Sequence, residues 1–248
     1  MYTLRMHDDG YFDERFASRY DEISSSMFDP AVLDPTVEFL AELSGGGKVL
    51  EFASGTGRVA LPLSERVYSV SGVDISAAMT DRLKAKPGGE NVDVTIGDFS
   101  STRVEGEFSL VFLVFNTIMN LTSQDAQVAC FQNAAEHLIS GGHFVIEVSV
   151  PKLQRVPAGE TYRTYRVEDS RMDFDEYSFA DQGLISHHFM KVDDEWEKLS
   201  VPFRYVWPSE LDLMARLAGL EIAGRWADWS REPFGDDSEK LIAAWRNA

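Results

Sequence analysis

The chain has 248 residues, 44% of them hydrophobic, with 16 Phe, 8 Tyr and 5 Trp, which is enough apolar surface to build a substantial core and argues against disorder. A formal net charge of -18 repels phosphate backbones and anionic lipid, so neither nucleic acid nor a membrane surface is expected as partner, and the lone Cys130 rules out an internal disulfide or a thiolate metal cluster. The opening MYTLRMHDDGYFDERF lacks an apolar signal region and no stretch reaches the roughly 18 apolar residues of a spanning helix, so a cytoplasmic location is expected.

In chain order, Tyr11 to Ile23 place Phe12, Phe16, Tyr20 and Ile23 on one helical stripe that runs into a Ser-rich break. A helix over Pro35 to Leu43 follows, stopped by Gly45-Gly46-Gly47. Strands and helices then alternate: strand Lys48 to Phe52, helix Gly57 to Glu65, strand Val67 to Asp74, helix Ala77 to Ala85 and strand Val92 to Ile96. Strand Leu110 to Phe115, a helix from Ser123 to Ile139 closed by Gly141-Gly142, and strand Phe144 to Val150 continue the pattern. Cys130 falls on that helix and reads as a small buried hydrophobe. The alternation predicts an α/β fold, a doubly wound, Rossmann-like, mostly parallel sheet covered by helices.

From Pro151 the character changes. Short β-rich runs, Tyr162 to Val167, Met172 to Phe179, Leu184 to Val192 and Glu197 to Tyr205, are separated by turns rather than helices, which predicts an antiparallel insert over residues 151–207. A helix from Pro208 to Leu217 and strands Glu221 to Trp226 and Leu241 to Trp245 then finish the sheet as an antiparallel pair, within a single domain of residues 1–248.

The most informative stretch is VLEFASGTGR, Val49 to Arg58: an apolar strand ending in an acid, then a Gly-rich turn. Gly55, Gly57 and Ala60 fit the dinucleotide fingerprint, and Asp74 follows Gly55 by 19 residues, so an NAD-dependent oxidoreductase is one reading. Against it stands Glu51 on the strand before the turn, a poor neighbour for a pyrophosphate and a good one for an ammonium group. GDFS adds Asp98 at the end of the third strand, where a carboxylate can accept from an adenine amino group. A non-catalytic cofactor-binding protein is a third reading.

With Glu51, the GTG turn, Asp74 and Asp98 in place, the chain resembles the class I S-adenosylmethionine-dependent methyltransferases, well over residues 11–150 and more loosely beyond. The resemblance implies S-adenosyl-L-methionine as cofactor. It implies that Ala53, Gly55 and Gly57 run along the methionine moiety, with Glu51 near its ammonium, and that Asp74 grips the ribose hydroxyls. Ile75 and Met79 would line the adenine, Asp98 and Phe99 would meet its edge and face, and Phe115 would close the methionine end. Tyr11 and Tyr20 would reach the cofactor from an N-terminal lid. Ala53 stands where many members carry glycine. Arg58 suits either the cofactor carboxylate or an exposed first helical turn.

Methyl transfer mainly requires alignment of nucleophile and methyl, so no catalytic residue is singled out and no metal is expected. On the acceptor side, Asn116 and Asn120 in FNTIMNL and His187 and His188 in ISHHF are candidates for a small-molecule acceptor, and no NPPY-type motif of the kind used on nucleic acid bases is present. The β-rich insert makes the chain similar to bacterial small-molecule methyltransferases, including those that N-methylate amino sugars of natural products. The insert would serve as acceptor cap or as a homodimer contact.

Overall fold

A computed structural model describes residues 12–248. Tyr11 therefore lies outside the described residues. Strands β1 (Lys48–Phe52), β2 (Ser69–Asp74), β3 (Val92–Ile96), β4 (Phe108–Leu113) and β5 (Leu138–Ser149) pair in parallel in the spatial order β5-β4-β1-β2-β3. A separate antiparallel sheet follows, β6 (Tyr162–Glu168), β7 (Arg171–Ser178), β8 (Gly183–Val192) and β9 (Glu195–Arg204). The chain then returns with β10 (Leu220–Trp226) and β11 (Lys240–Asn247), and β11 inserts antiparallel between β5 and β10. The expected α/β architecture, with its closing antiparallel strand and β-rich insert, is what forms.

Six α-helices cover these sheets among the described residues: α1 (Glu14–Ile23), α2 (Pro30–Ser44), α3 (Ala60–Ser64), α4 (Ala77–Lys84), α5 (Gln124–His137) and α6 (Pro208–Leu217). Polar side chains start the main ones. Asp13 accepts from the Phe16 amide at 3.0 Å, Ser76 from Met79 at 3.1 Å and Ser123 from Ala126 at 3.2 Å, satisfying donors that a helix end leaves free. Phe52, Phe131, Phe144 and Trp245 fill one side of the main sheet, while Val37, Leu40, Val49, Leu83 and Phe112 fill the other. Burial of each large side chain contributes about 1.5–3 kcal/mol.

Three expectations shift. Helix α2 begins at Pro30 rather than Pro35, because Asp29 caps it through the Ala31 amide and Pro30 supplies the fixed φ of a first turn, leaving Pro35 inside. The helix expected to run to Ile139 stops at His137, and Gly141-Gly142 lie within β5, where the pairing with β4 slips between Phe108 and Leu110. Strand β4 ends at Leu113, so Phe115 is beyond it, on a left-handed turn with φ 60°.

The strand order reverses direction between β1 and β4, which opens a crevice at the carboxyl ends of the parallel strands. No helix among the described residues is long and apolar enough to cross a membrane.

Candidate functional site

β1 ends at Phe52 and the backbone turns at once through positive φ, 56° at Ala53, 55° at Gly55 and 83° at Gly57. Glycine suits such angles. At Gly57 a Cβ would also lie 2.8 Å from Leu83 Cγ, so the turn can approach α4 only because no side chain is there. Ala53 adopts the same hand with a Cβ in place, at a cost of about 1 kcal/mol. Ala53→Gly is expected to raise the thermal midpoint by about 2–4 °C, and a calorimetric scan checks it. An unchanged or lowered midpoint would show that Ala53 is not strained.

Asp74, at the end of β2 and buried, ties this turn down. One carboxylate oxygen accepts the Gly55 amide at 2.6 Å and the other the Ser76 amide at 2.8 Å. Burial raises its pKa, and the two amides draw it back down. Glu51 sits deeper, 3% exposed, and its Oε2 has no hydrogen-bond partner. Burial pushes its carboxyl well above the usual range, against the opposing pull of the Arg58 guanidinium. A buried acid oxygen without a donor fits a ligand that brings one, such as an ammonium group.

Arg58 is half-buried and lies over the Phe115 ring, 5.4 Å from its centroid, so it belongs to this crevice rather than to an exposed helical turn. Phe115 is 39% exposed, and its amide donates to Glu147 Oε2 at 3.0 Å. Asn116 is spent on structure as well, its side-chain oxygen accepting the Ser149 amide at 2.6 Å. Glu147, absent from the candidates read in the sequence, thus fixes the mouth of β4, while its Oε1 meets Lys240 at 3.1 Å. No motif marks it, because it acts across two strands distant in sequence.

On the β2–β3 side, Ile75 and Asp98 are exposed at the strand ends and Met79 is buried beneath Gly55. Asp98 accepts the Ser100 amide at 2.7 Å. Phe99 differs from the expectation: its ring is buried and stacked on Phe52 at 6.0 Å, inside the core. A nucleobase on this edge would meet Ile75 and Asp98 instead.

Helix α1 lies across the turn. Asp21 accepts the Thr56 hydroxyl at 2.6 Å and pairs with Lys86 at 2.5 Å; the Ser76 hydroxyl donates to the Phe12 carbonyl at 2.5 Å; Glu14 pairs with Arg82, also at 2.5 Å. Tyr20 is half-buried, with its pKa raised by burial and lowered by Arg58. At the other end of α1, Arg15 pairs with Glu197 on β9.

Next to this crevice lies a cavity of about 510 Å³, bounded by Asn116, Ser149 and the segment Val150 to Arg155 on one side and the second sheet on the other. β-Strand alternation aims Asp175, Tyr177, Leu184, Ser186 and Phe203 into it. Asp175 has its carboxyl raised by burial, with Ser186 and Tyr177 drawing it down. His187 stands on the opposite face of the sheet, its ring nitrogens engaged by Ser200 at 2.8 Å and Glu176 at 3.1 Å. His188 shares the inward face but pairs with buried Asp173 at 3.1 Å, two positions along from Ser186, and neither histidine lines the cavity. Asn120 is half-buried on a short 3-10 turn after Asn116 and is not part of the lining.

A family model described as "Methyltransferase domain" matches residues 49–142. The fold superposes on the structure of the CcbJ methyltransferase from Streptomyces caelestis with a TM-score of 0.86 and 34% identity, over 98% of this chain and 100% of that one. A cypemycin N-terminal methyltransferase from a Streptomyces species is 27% identical over 240 residues, 96% of this chain and 98% of that protein. An amino pentose methyltransferase from Micromonospora echinaspora, determined with S-adenosylmethionine bound, shares the fold at a TM-score of 0.68 and 17% identity, over 99% of each chain.

Proposed function

Because this chain belongs to the class I S-adenosylmethionine-dependent methyltransferases, we propose that the crevice at the ends of β1, β2 and β4 holds that cofactor and that the adjoining cavity holds a small-molecule amine. When bound, the cofactor supplies a methyl group activated by a positively charged sulfur. Glu51 would bind its ammonium through the unpartnered Oε2, Asp74 its ribose hydroxyls through acceptor sites left over from the two amides, and Ile75 and Asp98 its base. Arg58 would face its carboxylate. Tyr20, on α1, would cover the site and exclude water.

The observation that carries the acceptor assignment is the cavity itself. It begins at Asn116, the residue after Phe115, and is roofed by the second sheet, so we read residues 151–207 as an acceptor cap. Asp175 is the half-buried carboxylate of its wall. It would accept hydrogen bonds from the acceptor ammonium and take its proton at a carboxylate oxygen before the amine reacts. N-methylation fits best, since the cypemycin relative acts on an amino terminus by its name.

Incubation with methyl-labelled cofactor and a panel of small primary and secondary amines tests the reading, with label transferred to nitrogen as the expected result. Loss of transfer across amines, with label appearing only on hydroxyl acceptors, would overturn the nitrogen assignment. On the acceptor that works, Asp175→Asn is expected to lower kcat/KM about tenfold, the equivalent of one hydrogen bond to a charged group, and to move the acidic limb of the pH–rate profile. A change below twofold with an unmoved profile would place Asp175 outside the acceptor site.

A further inference from the structure

The acceptor cavity carries a local charge opposite to that of the chain. Across the sequence, acids outnumber basic residues 41 to 23, yet the cavity wall holds Lys152, Arg155, Arg163 and Lys240 against Asp175 and Glu239. The pairing is incomplete. Glu239 alone serves both Lys152 and Arg155, the latter at 3.5 Å, and Glu147 behind the wall serves Lys240. Arg163 lies beside Asp175 and Tyr177. One carboxylate shared by two cations leaves positive charge facing the cavity, in a protein whose overall field repels anions.

We propose that the methyl acceptor carries an anionic group, a carboxylate or a phosphate, seated where Lys152 and Arg155 share Glu239, on the wall that Lys240 also lines. The inference rests on the acceptor reading of the cavity and narrows it to amines that are also anions. The N–H fork of Arg155 and the ammonium groups of Lys152 and Lys240 can donate to an oxyanion; in its absence the 69% exposed Glu239 carboxylate accepts from Lys152 and Arg155 instead.

The test does not depend on turnover. The full chain saturated with S-adenosylhomocysteine is titrated with inorganic phosphate and, separately, with succinate, each against chloride at matched ionic strength, by thermal midpoint and calorimetry. Saturable binding of one of the two anions is expected, and which one binds identifies the group. Lys152→Gln combined with Arg155→Gln should weaken that binding at least tenfold, whereas Arg103→Gln, paired with Glu136 away from the cavity, should leave it unchanged. If the double variant does not fold, Arg155→Gln alone, at a half-exposed side chain, is expected to weaken binding several-fold. Stabilisation by neither anion beyond chloride, or equal binding by the cavity variants, overturns the proposal. Failure of the amine panel with intact anion binding would instead count against the acceptor reading.

Discussion

Asp74→Ala is expected to lower affinity for S-adenosylmethionine by about a hundredfold or more while the chain stays folded. The two carboxylate oxygens each give one acceptor site to an amide, Gly55 on one side and Ser76 on the other, and keep the rest for the crevice. Hydrogen bonds from two ribose hydroxyls to a charged acceptor contribute about 1.5–3 kcal/mol each, and the sum corresponds to a hundredfold or greater change in Kd. The substitution also frees the Gly55 amide, so the turn loses its anchor at the same time. Calorimetric titration measures the affinity, and a thermal scan shows that the sheet persists. Asp74→Asn should lose nearly as much, because its NH2 group would oppose one of the two amides. Binding within threefold of the unsubstituted chain would remove Asp74 from the cofactor site.

Glu51→Gln should act in two directions, stabilising the free protein and weakening cofactor binding by about thirtyfold to several thousandfold. The free chain holds the Glu51 proton above its ordinary value of 4.5, because burial disfavours the charged form. The folded state therefore binds more protons than the unfolded one, and stability falls as pH rises from 4.5 through the raised value. Glutamine has no charge to expose to that penalty, so its midpoint near neutral pH should be higher. An ammonium placed against Oε2 reverses the preference: the cofactor favours the carboxylate and expels the proton wherever the free chain carries one. Affinity should rise with pH in that window, by up to about tenfold per unit. Removing one partner of a buried charge pair costs about 2–5 kcal/mol, which sets the expected loss. Titration in buffers of different ionisation enthalpy counts the protons released, and an equal count in Glu51→Gln would sink the assignment.

The alternation of strands and helices made the main sheet legible, since each apolar run had the length and punctuation of its element. Gly141-Gly142 misled because a glycine pair marks a bulge in a long strand as readily as a helix end, and only the partner strand Phe108–Leu113 decides which. Within the candidate site, the proximity of Glu51, Asp74 and Asp98 was legible because each lies within two residues of a strand end, and strand ends converge in this topology. The place of Phe99 was not, since its ring turns inward onto Phe52, a matter of packing across the sheet. Arg58 was ambiguous for the same reason: its place over Phe115 depends on a residue 57 positions away. The cavity wall was illegible as a set. Lys152, Asp175 and Glu239 come from three separate segments, and the register of the second sheet alone decides that Asp175 and Ser186 face inward while Glu176 and His187 face out.

Helix α1 touches the Gly-rich turn after β1 through Asp21 and Thr56, and the second sheet through Arg15 and Glu197. With cofactor at the turn and acceptor under the second sheet, as proposed, it would be a shared boundary of two binding events, and whatever free energy one ligand contributes to seating it would be inherited by the other. Linkage makes this symmetrical: a given factor by which bound cofactor tightens the acceptor is the same factor by which acceptor tightens cofactor. The fastenings are mostly charge pairs open to water, each worth little, so the boundary is weakly held and its opening has only a modest barrier to overcome. Such a helix favours exchange of spent cofactor between turnovers over permanent capture.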